Sequence, residues 1–181
     1  MTICVYCSSS DNIADVYKEA AGELGTLLGG RKTHVVNGAG SIGLMRILSD
    51  AVLASGGTVT GVIPDFMVDN GWCHQGLTNL VRTADMHGRK QTMASMSDAA
   101  IALPGGYGTL EELLEIITWR QLGLYSNPVI ILNVNGFFDP LIDMFRRIEA
   151  EHFLRHPHYD LWRLAKTPQE AMEKLSMTPQ Q

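Results

Sequence analysis

Basic residues are scarce in this chain: 14 Lys and Arg stand against 19 Asp and Glu, a net charge of −5 at pH 7. Duplex-binding surfaces draw their affinity from many Lys/Arg contacts to phosphate, so the balance excludes nucleic acid as a partner and leaves room only for a local basic pocket. No apolar run approaches the roughly 18 residues that span a bilayer. Met1–Ser10 also lacks the basic start and long apolar stretch of a secretory leader, so the expectation is a cytoplasmic protein without a membrane partner. Cysteine is rare as well. Cys4, Cys7 and Cys73 cannot all pair internally, and a chain of this size needs no bridges, which predicts free thiols. Cys4 and Cys7 do form a C-x-x-C, but in a strand over Ile3–Ser8 positions i and i+3 point to opposite faces, which opposes a redox or metal pair. There is no G-x-S-x-G elbow and no P-loop lysine, which removes the usual esterase and kinase arguments. His152, His156 and His158 cluster near Pro157 without a supporting Cys or carboxylate pattern, so they are read as surface or interface residues and no metal site is expected.

What is present is ample apolar material, with 45% hydrophobic and 18% charged residues over 181 positions. That length and composition fit one globular domain spanning 1–181. No internal repeat or low-complexity linker divides the chain, and short apolar runs alternate with amphipathic stretches from end to end. Strands are predicted at Ile3–Ser8, Thr33–Asn37, Thr58–Ile63, Ala99–Leu103 and Val129–Asn133, with a short one around Leu80–Thr83. Helices are predicted at Ile13–Leu28, Gly43–Ser55, Met86–Ser97, Leu110–Leu122, Pro140–Glu151 and Pro168–Leu175. The alternation predicts an α/β fold: a doubly wound, Rossmann-like parallel sheet with helices on both faces, which binds ligands at the carboxyl ends of its strands.

Two glycine loops follow strands and open helices. Gly38, Gly40 and Gly43 make a G-x-G-x-x-G, where glycine would let backbone approach a phosphate and the helix N-terminus would supply N–H donors. The same glycines could instead only relieve crowding at a tight turn. Pro104-Gly105-Gly106-Tyr107-Gly108-Thr109 repeats the arrangement after the strand Ala99–Leu103. One loop could hold a phosphate and the other surround a sugar, with the Ser41 and Thr109 hydroxyls adding donors, which suits a nucleotide. A dinucleotide oxidoreductase is the rival, because Asp65 stands where a ribose-binding acid would. Pro64 intervenes, however, and the fingerprint follows the second strand rather than the first.

Helical periodicity in Leu110–Leu122 puts Leu110, Leu113, Leu114, Ile117 and Gln121 on one stripe, expected to pack on the sheet, with Glu112, Ile116 and Trp119 projecting elsewhere. The second, partly apolar face predicts a pocket or a partner subunit. Glu112 is expected in the first turn, where the helix dipole would keep it ionised, although first-turn glutamates such as Glu111 also serve merely as caps. Met86, Arg89, Met93 and Met96 share one side of their helix. They are either a core methionine stripe with the Arg reaching out of it, or a guanidinium and flexible apolar groups placed beside the glycine loops.

Met86-His87-x-Arg89-Lys90, Ser97-Asp98-Ala99 and Pro104-Gly105-Gly106-x-Gly108-Thr109-x-x-Glu112 together resemble the signature of the LOG ("Lonely Guy") family, long mislabelled as lysine decarboxylases. The resemblance runs from Ile3 to about Asp139 and includes Cys7-x-Ser9-Ser10 and the loop from Gly38 to Met45. It implies a Rossmann-like homodimer that hydrolyses the N-glycosidic bond of N6-modified adenosine 5′-monophosphate to free base and ribose 5-phosphate, without a cofactor. By motif match, Arg89 and Glu112 take the positions of the catalytic pair. Ser9, Gly40, Ser41, Gly43, Met86, Lys90, Gly105, Gly106, Tyr107, Gly108, Thr109, Leu110, Glu111 and Thr118 take substrate-binding positions. The chain departs from the family pattern at Ser8, where members usually have Gly, at Ala39, where they usually have Gly, and in Asp69-Asn70-Gly71-Trp72, where members often carry a substrate-binding Glu near position 71. The alternatives carried forward are a broader nucleosidase acting on AMP itself and a non-catalytic nucleotide-binding protein.

Overall fold

The computed structural model describes residues 1–154 and 160–175. Strands and helices alternate: β1 (Thr2–Tyr6), α1 (Asp15–Gly30), β2 (His34–Asn37), α2 (Gly43–Ala54), β3 (Thr58–Pro64), α3 (Asp65–Asp69), β4 (Asn79–Thr83), α4 (Met86–Ser95), β5 (Ala99–Ala102), α5 (Tyr107–Gln121), β6 (Val129–Leu132), α6 (Asp139–Ala150), β7 (Arg163–Ala165) and α7 (Pro168–Leu175). A 3₁₀ turn, Val134–Gly136, precedes α6. Among the described residues the strands form one parallel sheet in the order β4-β3-β2-β1-β5-β6-β7. The doubly wound expectation therefore holds.

The sheet is apolar on both faces because each strand alternates. In and just after β1, Ile3, Val5 and Cys7 join a core with Leu24 and Leu28 of α1 and Leu44, Leu48 and Val52 of α2. Cys4 and Tyr6 join the opposite core, with Met93 of α4, Leu113 and Ile116 of α5 and Ile142 of α6. Cys4 and Cys7 thus lie on opposite faces, and all three cysteines are free and buried. The chain runs outward from β1 to β4 and then returns to the other side of β1 as β5. Between β1 and β5 the winding reverses, and the loops at the carboxyl ends there splay apart to leave a crevice.

Three elements escaped the sequence. β7 has three residues, of which only Ala165 is fully buried. α3 buries none of its five. The 3₁₀ turn is shorter than any periodicity can mark. Helix α5 begins at Tyr107, three residues earlier than expected, because Gly108 in its first turn disguises it. Among the described residues no helix is long and apolar enough to cross a membrane. His152 occupies an exposed turn with positive φ, whereas His156 and His158 lie outside the described residues.

Candidate active site

A cleft of about 670 Å³ opens at the carboxyl ends of β1, β2, β3 and β5. Its walls are the loop after β1, the loop between β2 and α2, α3 with the turn behind it, and the N-terminus of α5, while α4 contributes side chains from below.

Arg89 is delivered by α4, whose start is fixed by the Asp85 carboxylate accepting the Gly88 N–H at 2.8 Å. The side chain is 6% exposed. Its Nη2 lies 3.5 Å from Glu112 Oε1, its Nη1 approaches the Met86 sulfur at 3.6 Å, and its buried Nε has no partner. A Cβ on Gly38 would stand 1.8 Å from Arg89 Nη2, so the first glycine of the G-x-G-x-x-G makes room for this guanidinium. Of the methionines that share its helix side, Met93 is core, Met96 is partly exposed and Met86 lines the cleft. The stripe therefore divides between core and site.

Glu112 corrects two expectations. Leu110 and Ile117 are only half-buried, Gln121 is likewise, and Leu114 is 42% exposed, whereas Thr109, Glu112, Leu113 and Ile116 form the face against the sheet. With apolar residues at 110, 113, 114, 116, 117 and 119, α5 has no single apolar stripe for periodicity to find. Glu112 is also the sixth residue of α5, beyond the first turn where the dipole acts. Burial dominates instead: it pushes the carboxyl up to about 7, against the opposing pull of Arg89 and, more weakly, Lys90. The group is therefore poised near neutrality rather than held ionised. Burial first, then the charge of Glu112, keeps the neighbouring Cys7 thiol protonated, so Cys7 offers no thiolate nucleophile to the cleft.

The two glycine loops differ. At α2, Gly43 has φ +67°, and its N–H donates to Asp11 at 2.9 Å while the Met45 N–H donates to the Ser8 carbonyl at 3.3 Å. The chain itself thus takes two of the first-turn donors at that terminus. At α5, the N-cap Gly106 supplies no side-chain acceptor, and Gly106, Tyr107, Gly108 and Thr109 line the cleft. This terminus presents backbone donors to an anion.

Ser9, Gly40, Ser41, Met86 and Glu111 also lie on the cleft wall. Gly43, Gly105, Leu110, Lys90 and Thr118 do not. Gly105 packs on Thr109, and Leu110 packs half-buried on the core. Lys90 Nζ is buried between Glu111 at 2.7 Å and Glu115 at 3.1 Å. The Thr118 hydroxyl donates to the Leu114 carbonyl at 2.7 Å on the exposed side of α5. Asp65 is engaged by Arg82 at 2.5 Å on an exposed surface and does not line the cleft. Residue-by-residue reading missed Ile63, Met67 and Trp72, which close the far end. Their position depends on a strap that folds back: the Ser41 N–H donates to the Trp72 carbonyl at 3.0 Å, the His74 N–H to the Ala39 carbonyl at 2.8 Å, and Gly40 bridges to Cys73. No periodicity announces such a contact.

Residues 45–175 match the family model described as "Possible lysine decarboxylase". The chain is 45% identical over 173 residues to a probable cytokinin riboside 5′-monophosphate phosphoribohydrolase of Oryza sativa subsp. japonica, covering 96% of this chain and 71% of the relative. It is also 45% identical to a cytokinin riboside 5′-monophosphate phosphoribohydrolase of Arabidopsis thaliana, covering 96% and 81%. A solved Moco carrier protein from Chlamydomonas reinhardtii shares the fold, with a TM-score of 0.72 at 21% identity over 96% of this chain and 94% of that one. With such identity along nearly its whole length, and with Met86, Arg89, Glu112 and Gly106 to Thr109 of its signature lining one crevice, the chain belongs to the LOG family.

Proposed function

We propose that this protein hydrolyses the N-glycosidic bond of an N6-modified adenosine 5′-monophosphate, giving the free base and ribose 5-phosphate. The observation that carries the reading is the position of the Arg89–Glu112 pair, buried in the middle of a cleft with an open helix N-terminus on one side and apolar residues on the other. The α5 N-terminus would take the 5′-phosphate, and the apolar end the base. Breaking the bond builds positive charge on C1′ and O4′, so a fixed carboxylate beside them favours the transition state over the ground state. Glu112 is that group. With its carboxyl poised at about 7, it is half ionised near neutral pH, and the ionised form can accept a proton from the attacking water. Arg89 holds the carboxylate and the phosphoribosyl group in register. Lys90, whose amine is committed to Glu111 and Glu115, acts through those acids and offers no free amine for decarboxylase chemistry.

The same reading includes a cytoplasmic homodimer. Leu114, Leu122 and Leu124 are exposed along and just beyond α5, next to half-buried Leu110 and Ile117, and a second copy would cover this stripe. The test is product chromatography after incubation with N6-isopentenyladenosine 5′-monophosphate and with AMP. Release of base and ribose 5-phosphate from the modified nucleotide is expected. Faster release from AMP would turn the reading into the broader nucleosidase, and bound nucleotide without any release would overturn hydrolysis.

A further inference from the structure

We infer that Trp72 is the specificity-determining residue of the base end of the cleft, and that its indole packs on an apolar substituent carried by the base. This rests on the hydrolase reading for the direction in which the nucleotide lies. Trp72 is 52% exposed yet lines the cleft, so half of a large apolar surface waits there for cover. Ile63 and Met67 line the same end, and Ile42, 48% exposed, stands on the neighbouring loop. Among the described residues, no charged side chain of the strap lines this end.

The distance across the sheet suits the assignment. The anion-accepting terminus of α5 follows β5, whereas Ile63 and α3 follow β3, three inter-strand spacings away. At about 4.8 Å each these amount to roughly 14 Å, the reach of a mononucleotide whose base carries a substituent on its far edge. Arg89 beneath Gly38, after β2, falls between the two ends, as the anomeric carbon must.

The Trp72 main chain is also held in place. Its N–H donates to the Met67 carbonyl at 3.1 Å and its carbonyl accepts the Ser41 N–H at 3.0 Å. The Gly40–Cys73 bridge ties the next residue to the glycine loop, and Arg82 grips Asp65 and Asp69 at the two ends of α3. A strap whose backbone is fixed before the ligand arrives leaves only the indole's own rotation to be lost on binding, which favours selectivity. Flat aromatic faces add attraction beyond buried area when they meet an unsaturated group.

The experiment compares kcat/KM for N6-isopentenyladenosine 5′-monophosphate and for AMP. In wild type the modified nucleotide is expected to be preferred. Trp72→Ala should lower the ratio about tenfold, mainly through KM, while Trp72→Phe retains most of it. Because Trp72 is a half-exposed turn residue, the thermal midpoints of both variants should match wild type. A ratio unchanged in Trp72→Ala, with wild type active, overturns the inference and leaves the hydrolase reading standing. A second measurement is independent of turnover. In Glu112→Gln, N6-isopentenyladenosine 5′-monophosphate should quench tryptophan emission, and adding Trp72→Phe should abolish the quench, since Trp119 and Trp162 sit against the core. Quenching that depends on Trp72, together with a wild-type protein that releases no base from either nucleotide, would sink the hydrolase reading but keep the apolar subsite; quenching that survives the substitution would refute it.

Discussion

The loops after β2 and after β5 look alike as strings of glycine between a strand and a helix, and both line the cleft, yet their helix termini are used differently. The first is full. Arg89 fills the space beside Gly38, and Asp11 and the Ser8 carbonyl take the first donors of α2. The second opens on the cleft, since Gly106 caps α5 without a side chain and the first turn lines the cleft wall. A glycine motif therefore reports that something comes close to the backbone, and only the fold tells whether it is a ligand or the protein's own side chain.

Several substitutions would break or sharpen this contrast. The largest effect is expected at the residue that α5 carries between the loops: Glu112→Gln should lower kcat about 10³-fold with nucleotide affinity nearly kept, as single-turnover assays and equilibrium binding would report. Next, Gly38→Ala should displace the guanidinium and lower kcat on the order of 10²-fold while circular dichroism stays native, because an ångström of misplacement costs about that much. Near-wild-type turnover would show the first loop to be spare. Gly106→Ala places a methyl in open space at the cleft-facing terminus of α5, so it should act chiefly on KM, roughly fivefold, with kcat little altered.

The pH profile follows from burial. If the ionised Glu112 is the active form, kcat/KM should rise with pH and level off above about 7. Stability has the opposite sign: because the folded carboxyl titrates at about 7 rather than near its usual 4.5, the native state loses stability as pH rises between those values. Glu112→Gln should therefore gain in stability relative to wild type between pH 5 and pH 8, by about 3 kcal/mol at most, as thermal midpoints measured across that range would report. An unchanged difference would mean that the carboxyl is not buried in solution. The smallest effect belongs to the filled loop, where Asp11→Ala should cost about 1 kcal/mol of stability as a lost cap and leave kinetics alone.

The sheet, its order of elements and the two loops were legible in the sequence because buried strands and turn glycines are local signals. The facing of α5 was not, since Leu110, Leu114 and Ile117 are as apolar as Leu113 and Ile116, and only packing separates them. The ionisation of Glu112 was misread for the same reason: the dipole is visible in sequence, whereas the burial that outweighs it is tertiary. The motif led to Arg89 and Glu112, which the structure brings together at 3.5 Å. It marked the segment Asp69-Asn70-Gly71-Trp72 only as a departure and did not single out Trp72, whose place in the cleft depends on hydrogen bonds from Ser41 and to Met67 rather than on any spacing.

The close fit between Gly38 and Arg89 also bears on how such a protein can change over generations. The two positions are 51 residues apart in the chain but share one small volume, so neither can drift alone. A descendant with a bulkier residue at 38 has to find another route for its arginine, and one that surrenders the arginine loses the closest of the contacts that hold position 38 to glycine.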